Sequence, residues 1–95
     1  MTNYERGSRL EYAVRDRYRD LGYFVVRSAG SRGAADLVCF AEYMTIFVQC
    51  KRAKEDVLAA MNKLEAEVPR GYARFLEVWG LDVRTPVRLL AQTWD

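Results

Sequence analysis

Asp36, followed thirteen positions later by Gln49-Cys50-Lys51, sets a carboxylate, a side-chain amide and an ammonium within reach of one another if their segments are paired strands. A metal ion that activates water for attack on a phosphodiester needs hard oxygen ligands converging from neighbouring backbone elements. A nearby ammonium can then position water or stabilise developing charge. Glu11 offers a further carboxylate from upstream. The chain has no histidine, which removes Ser-His-Asp, Cys-His and histidine-metal chemistry and leaves carboxylates, lysines and amides as the catalytic groups. Taken alone, the pattern is more simply explained by an aspartate that caps a turn and a solvated lysine at a strand end.

The elements that must position these residues can be read from periodicity. Thr2-Asn3-Tyr4-Glu5 has the form of a capping box, and Leu10, Val14, Tyr18 and Leu21 recur at helical spacing until Gly22, which predicts a first helix over residues 4–21. Glu11 then lies beside the apolar stripe, at the edge of whatever the helix covers. Residues 23–27 are aromatic and β-branched and read as a strand, followed by the loop 28–33. Residues 36–40 and 46–51 are apolar runs that read as central strands covered on both faces, with Glu42-Tyr43 midway between them. A hairpin centred there sets Asp36 opposite Gln49, and alternation puts Gln49 and Lys51 on one face and Cys50 on the other. Residues 54–68 read as a second helix ended by Pro69-Arg70-Gly71, and 72–79 and 83–91 as two more strands, with Pro86 suited to an edge. The order αβββαββ predicts one α/β (α+β) domain over residues 1–95, a mixed five-stranded sheet with flanking helices.

Composition narrows the class. A 95-residue chain with 51% hydrophobic and 29% charged residues is a globular domain small enough to benefit from a partner subunit. The net charge of +2 is uninformative, but twelve of the fifteen basic residues are arginine, and residues 1–34 hold seven of them against four acidic residues. Such clustering suits phosphate contacts, and ordinary surface charge accounts for it as readily. Arg6, Arg9, Arg27, Ser28, Arg32, Arg52 and Lys54 are the candidates for DNA contact. Cys39 and Cys50 match no zinc spacing and sit in apolar runs, as expected of free thiols in a reducing compartment. No signal-peptide pattern or bilayer-length apolar stretch is present, so a cytoplasmic location is expected, in a cell or a virus-infected host, without membrane association. Trp79, Trp94, Tyr72 and Phe75 are candidates for a dimer contact, although aromatics at strand spacing more often form core.

Four stretches in order resemble the successive motifs of archaeal-type Holliday junction resolvases, members of the PD-(D/E)xK nuclease superfamily. They are Gly7-Ser8-Arg9-Leu10-Glu11, residues 22–31 (Gly-Tyr-Phe-Val-Val-Arg-Ser-Ala-Gly-Ser), Asp36-Leu37-Val38 and Val48-Gln49-Cys50-Lys51. The resemblance covers residues 7–51 with family-like spacing. Beyond residue 53 it fades, and residues 70–79 are also similar to the short virus-type VRR-NUC nucleases. It implies a restriction-endonuclease-like core and an active site formed by Glu11, Asp36, Gln49 and Lys51 with Ser31 nearby. Glu11, Asp36 and Gln49 would hold magnesium or manganese, with no organic cofactor. It also implies a homodimer that cuts two strands of a four-way, branched DNA junction. Without it, the loop containing Ser28, Ser31 and Arg32 would read as an ordinary turn.

Two departures accompany the resemblance. The loop from Ser31 to Asp36 is about one residue longer than the usual pattern, which loops tolerate. Position 49 is Gln where the family usually has Glu, and an amide carbonyl can ligate a hard cation but brings no charge. A working natural variant, an engineered inactive form and a binding protein that has lost cleavage all remain open, with Glu11, Asp36 and Lys51 favouring the first two. A flap-directed or nonspecific nuclease, a noncatalytic DNA-binding module and an interaction protein are the competing functions.

Overall fold

The computed structural model describes residues 3–28, 33–51, 57–70 and 74–93, the side chains of 3–8 and 93 excepted. Helix α1 (Asn3–Asp20) buries Leu10, Val14 and Tyr18, a burial that stabilises the fold by about 1.5–3 kcal/mol per large apolar side chain. It stops where expected. Gly22 takes φ +94°, its N–H bonds the Arg19 carbonyl at 2.9 Å, and the Tyr23 N–H bonds the Tyr18 carbonyl at 3.0 Å, closing the last turn. Leu21, expected on the apolar stripe, is exposed because it already belongs to this turn.

Strands β1 (Phe24–Arg27), β2 (Leu37–Phe40) and β3 (Thr45–Cys50) form an antiparallel meander. Helix α2 (Val57–Glu67) then carries the chain across to β4 (Arg74–Asp82), which lies parallel to β3, and β5 (Thr85–Thr93) pairs antiparallel with β4. The result is the expected order αβββαββ, a five-stranded mixed sheet with strand order β1-β2-β3-β4-β5. No helix among the described residues is long and apolar enough to cross a membrane.

The β2–β3 hairpin is centred as predicted, with Ala41 N–H bonding the Met44 carbonyl and pairs running from Phe40↔Thr45 to Leu37↔Val48. Asp36 itself bends out of the ladder. Its N–H bonds the Val48 carbonyl at 2.7 Å and its own carbonyl accepts the Ser28 N–H at 2.8 Å, so it joins the ends of β1 and β3 instead of pairing with Gln49. The last strand starts two residues later than expected, because Val83 adopts φ 59° in the tight turn after β4. Pro86 sits opposite Leu81 on the edge strand, as its missing N–H requires. Val78 pairs with Leu90 and Trp79 with Arg88, leaving Leu89 as the extra residue of a bulge.

Two cores result. Beneath α1 lie Val25, Leu37, Cys39, Ile46, Val48 and Trp79, with Cys50 and Phe75 packed against them. On the other face, Met61 and Leu64 of α2 pack on Leu76 and Val78, with Phe47 at their margin. Trp79 is buried in the α1-side core and Phe75 packs against it half-buried, while Tyr72 and Trp94 fall outside the described residues. Both cysteines are free and lie on the α1 side. The expectation that β2 is covered on both faces does not hold, since Phe40 is 43% exposed.

Two charged side chains, Arg74 and Glu77, are buried among the described residues. Glu77, 4% exposed, accepts the Tyr18 hydroxyl and the Trp79 indole N–H (2.8 Å) on Oε1 and Arg88 (3.2 Å) on Oε2. Burial and the Glu77 carboxylate push the Tyr18 phenol far up, so it remains a donor. Arg74 donates to the carbonyl of Val68, satisfying an acceptor just past the C-terminus of α2.

Candidate active site

The predicted acidic residues meet where β1 ends, β2 begins and β3 ends. Glu11 reaches in from α1, where its Oε1 accepts a hydrogen bond from Arg27 Nε at 3.0 Å, both side chains largely buried. The Arg27 guanidinium also lies 4.8 Å from the centre of the Tyr12 ring, so it is fixed on two sides. Asp36 Oδ2 accepts the Cys50 N–H at 2.9 Å, which clamps the carboxylate against the end of β3. A strand that ends at Cys50 has an amide without a ladder partner, and Asp36 supplies the acceptor.

Burial sets the electrostatics of this locus. The Glu11 carboxyl is held above its ordinary range, by burial first and by the Asp36 charge second, despite Arg27. Asp36 is likewise raised by burial, against the opposing pull of the Cys50 amide, Lys51, Arg27 and Lys63. Burial and both carboxylates push the Cys50 thiol up as well. Two desolvated acids that stay strained with cations beside them are a place where a hard cation would relieve repulsion.

Glu11, Asp36 and Lys51 are thus brought together, with Lys51 close enough to favour the ionised form of Asp36. Cys50 packs toward α1, so Gln49 and Lys51 project to the α2 side by alternation, as expected. The Gln49 amide nitrogen donates to the Cys50 carbonyl at 3.3 Å. Among the described residues no group of three or more His, Cys, Asp and Glu side chains could hold a metal, so the acids present are a pair and any further ligand would be an amide or backbone carbonyl oxygen or water. On that donor chemistry the residues fit a divalent cation, with one charge fewer than three carboxylates would bring.

The remaining candidates separate. Arg27 is occupied by Glu11, and the Ser28 amide is used to hold Asp36. Arg9 lines a different cleft, with Arg84 and Pro86 near the β4–β5 turn. Ser31, Arg32, Arg52 and Lys54, and the Arg6 side chain, lie outside the described residues. Sequence reasoning missed the Arg27–Glu11 pair and the reach of Lys63 from α2, because neither partner's spacing carries a local signal.

An αβββαββ mixed sheet with paired acids and a lysine at the ends of its central strands is the architecture expected of a PD-(D/E)xK nuclease core. The family model described as archaeal Holliday junction resolvase (Hjc) matches residues 2–94, and the chain belongs to that family. No curated protein and no solved structure matches the chain significantly.

Proposed function

We propose that this chain is a divalent-metal-dependent endonuclease that hydrolyses DNA phosphodiesters at four-way junctions as a homodimer in the cytoplasm. One observation carries the reading: Glu11 and Asp36, both desolvated and raised, converge with Lys51 at one end of the sheet. Glu11, Asp36 and the Gln49 carbonyl would hold magnesium or manganese, which supplies a more acidic bound water and neutralises phosphate charge. Lys51 would offer its ammonium to a phosphate oxygen. Arg27 keeps the Glu11 carboxylate oriented toward Asp36, and the Cys50 amide does the same for Asp36.

Membership of the resolvase family supports junction DNA as the substrate. A noncatalytic junction-binding protein is the second reading, favoured by Gln49, whose amide is engaged with its own strand. The test is cleavage of a labelled four-way junction with magnesium or manganese, beside a flap and a linear duplex of the same sequence. Selective, metal-dependent junction cutting is expected. Binding without cutting at any metal concentration would replace the nuclease with the binding module, and equal cutting of all three substrates would remove junction selectivity.

A further inference from the structure

Helix α1 and the edge strand β5 stand apart, and adjoining clefts that share Pro86 run between them from the β4–β5 turn to the C-terminal end of the helix. Arg9 and Arg84 line the cleft beside the turn, and Arg17 and Arg88 line the one at the far end. On one wall Arg9 and Arg17 are separated by about 12 Å along the helix, and on the other Arg84 and Arg88 by about 13 Å along the strand. The groove is thus flanked by two arginine rows of equal length, with one facing pair at each end. All four side chains are exposed, and among the described residues Arg9 and Arg84 have neither an ion pair nor a hydrogen bond. The far pair is held in place: the Arg17 guanidinium lies 5.4 Å from the centre of the Trp79 ring, and Arg88 bonds Glu77 at 3.2 Å with its side chain still 55% exposed. Of the acids that line the groove, Asp16 is paired with Arg15 at 2.8 Å and Glu77 is buried, which leaves Asp20.

We propose that this groove is a second DNA site, which holds the sugar-phosphate backbone of a strand other than the one presented to Glu11 and Asp36. That DNA is the ligand rests on the functional reading above; the surface and the choice of strand do not. Two facing rows of guanidiniums along an elongated groove suit a linear polyanion better than a single anion. Phosphates on one strand of a duplex recur about every 3.4 Å along its axis, so each row spans roughly three or four of them. A guanidinium keeps its charge and takes phosphate oxygens two at a time. The choice of strand follows from the helix. At about 100° per residue, Glu11 lies roughly 160° around α1 from Ala13, which lines the groove. The helix, about 10–12 Å across with its side chains, therefore stands between the groove and the paired acids. A strand within a duplex is too stiff to wrap a cylinder of that width, so the backbone in the groove belongs to another strand.

The experiment is fluorescence anisotropy of a labelled four-way junction in EDTA across a salt titration, so that cleavage plays no part. The proteins are the wild type, Arg9→Gln/Arg17→Gln/Arg84→Gln, and Arg19→Gln as a control that is exposed on α1 but does not line the groove. Arg88 is left in place so that Glu77 keeps its partner. The triple variant should bind about ten-fold or more weakly, with a salt slope shallower by about two to three, and the control should match the wild type. A triple variant that matches the wild type would overturn the groove and leave the nuclease reading standing; a wild type that binds no DNA at any salt would overturn both. Photo-crosslinking identifies the strand and decides the matter even if the triple variant unfolds. Arg84→Cys and Lys51→Cys, each carrying a benzophenone maleimide, are irradiated on a junction whose four strands are labelled in turn, with the treated wild type as the blank. The two positions should mark different strands. Crosslinking of the same strand from both, or from position 51 alone, overturns the proposal.

Discussion

Gly80 passes the carbonyl of Lys51 so closely that a Cβ at position 80 would stand 3.1 Å from that oxygen. The same Cβ would lie 2.6 Å from Leu89 Cδ1, the side chain of the bulge residue on β5. On the other side of Lys51, its N–H bonds the Trp79 carbonyl at 2.8 Å. Strand β4 therefore holds the last residue of the Gln-x-Lys segment by its backbone, and the absence of a side chain at 80 is what permits the approach.

Gly80→Ala should shift Lys51 by a few tenths of an ångström and slow single-turnover junction cleavage about ten-fold, since small misplacements of a catalytic group are costly. Junction affinity should not change. Adding Leu89→Ala gives the new methyl room to turn away and should recover part of the rate. Equal rates for Gly80→Ala and wild type would separate Lys51 from the chemistry or from this contact.

Asp36→Asn should abolish cleavage while leaving junction binding near the wild-type value, because it removes a ligand charge without altering the phosphate-binding surface. It should also raise thermal stability at neutral pH. Burial holds the Asp36 pKa above that of the unfolded chain, so its protonated form stabilises the fold. That stability is complete below the unfolded carboxylate pKa and is lost as pH rises through the raised folded pKa. Asparagine escapes the loss. Melting curves of the two proteins should therefore differ at neutral pH and converge in acid; a variant less stable at neutral pH would contradict the direction of the shift.

Gln49→Glu adds a carboxylate at the end of β3, one residue before the Cys50 amide that holds Asp36, and should lower the magnesium concentration needed for half-maximal cleavage by about ten-fold or more. Without metal the variant should melt at a lower temperature than the parent, since a further half-buried negative charge is added to a sheet end whose two carboxyls are already raised. Magnesium should close that gap. Calorimetric melts across a magnesium titration, at fixed protein concentration so that dimerisation is held constant, report both effects.

The Cys39 thiol, buried beneath α1, is pushed up to about 12 by desolvation and by the Glu77 charge, and Cys50 is raised by its burial and by Asp36 and Glu11. Neither should react with a thiol reagent at neutral pH until the fold opens, because the thiolate is the reactive species. Titration with an aromatic disulfide before and after guanidinium should count no thiols, then two. Prompt reaction of Cys39 in the folded protein would contradict its placement.

The meander was legible because hairpin register follows from a single centre, and alternation then assigns faces to Gln49, Cys50 and Lys51 without further information. Helix α1 was legible from its apolar spacing and Gly22. The rest was not, for identifiable reasons. Val83 in a left-handed turn is the type of residue least suited to that conformation, so composition pointed to strand. Asp36 leaves the ladder to take the Cys50 amide, and the partners Tyr18 and Glu77 are 59 positions apart. Trp79 and Phe75 were read as more often core than interface, and the position of α1 over the sheet shows the core packing of both.

The parallel pairing of β3 with β4 has a consequence for how the molecule comes into being. Glu11, Asp36, Gln49 and Lys51 are all in place along the chain by the end of the meander, whose hairpins close through short, rapid loops. The carbonyl of Trp79 and the bare backbone of Gly80 arrive only after a crossover through α2, a non-local closure that forms late. A chain emerging from the ribosome thus carries every acidic and basic group of the site before it owns the strand that aligns them. The geometry of the site would therefore be completed only once β4 has been made and docked beside β3.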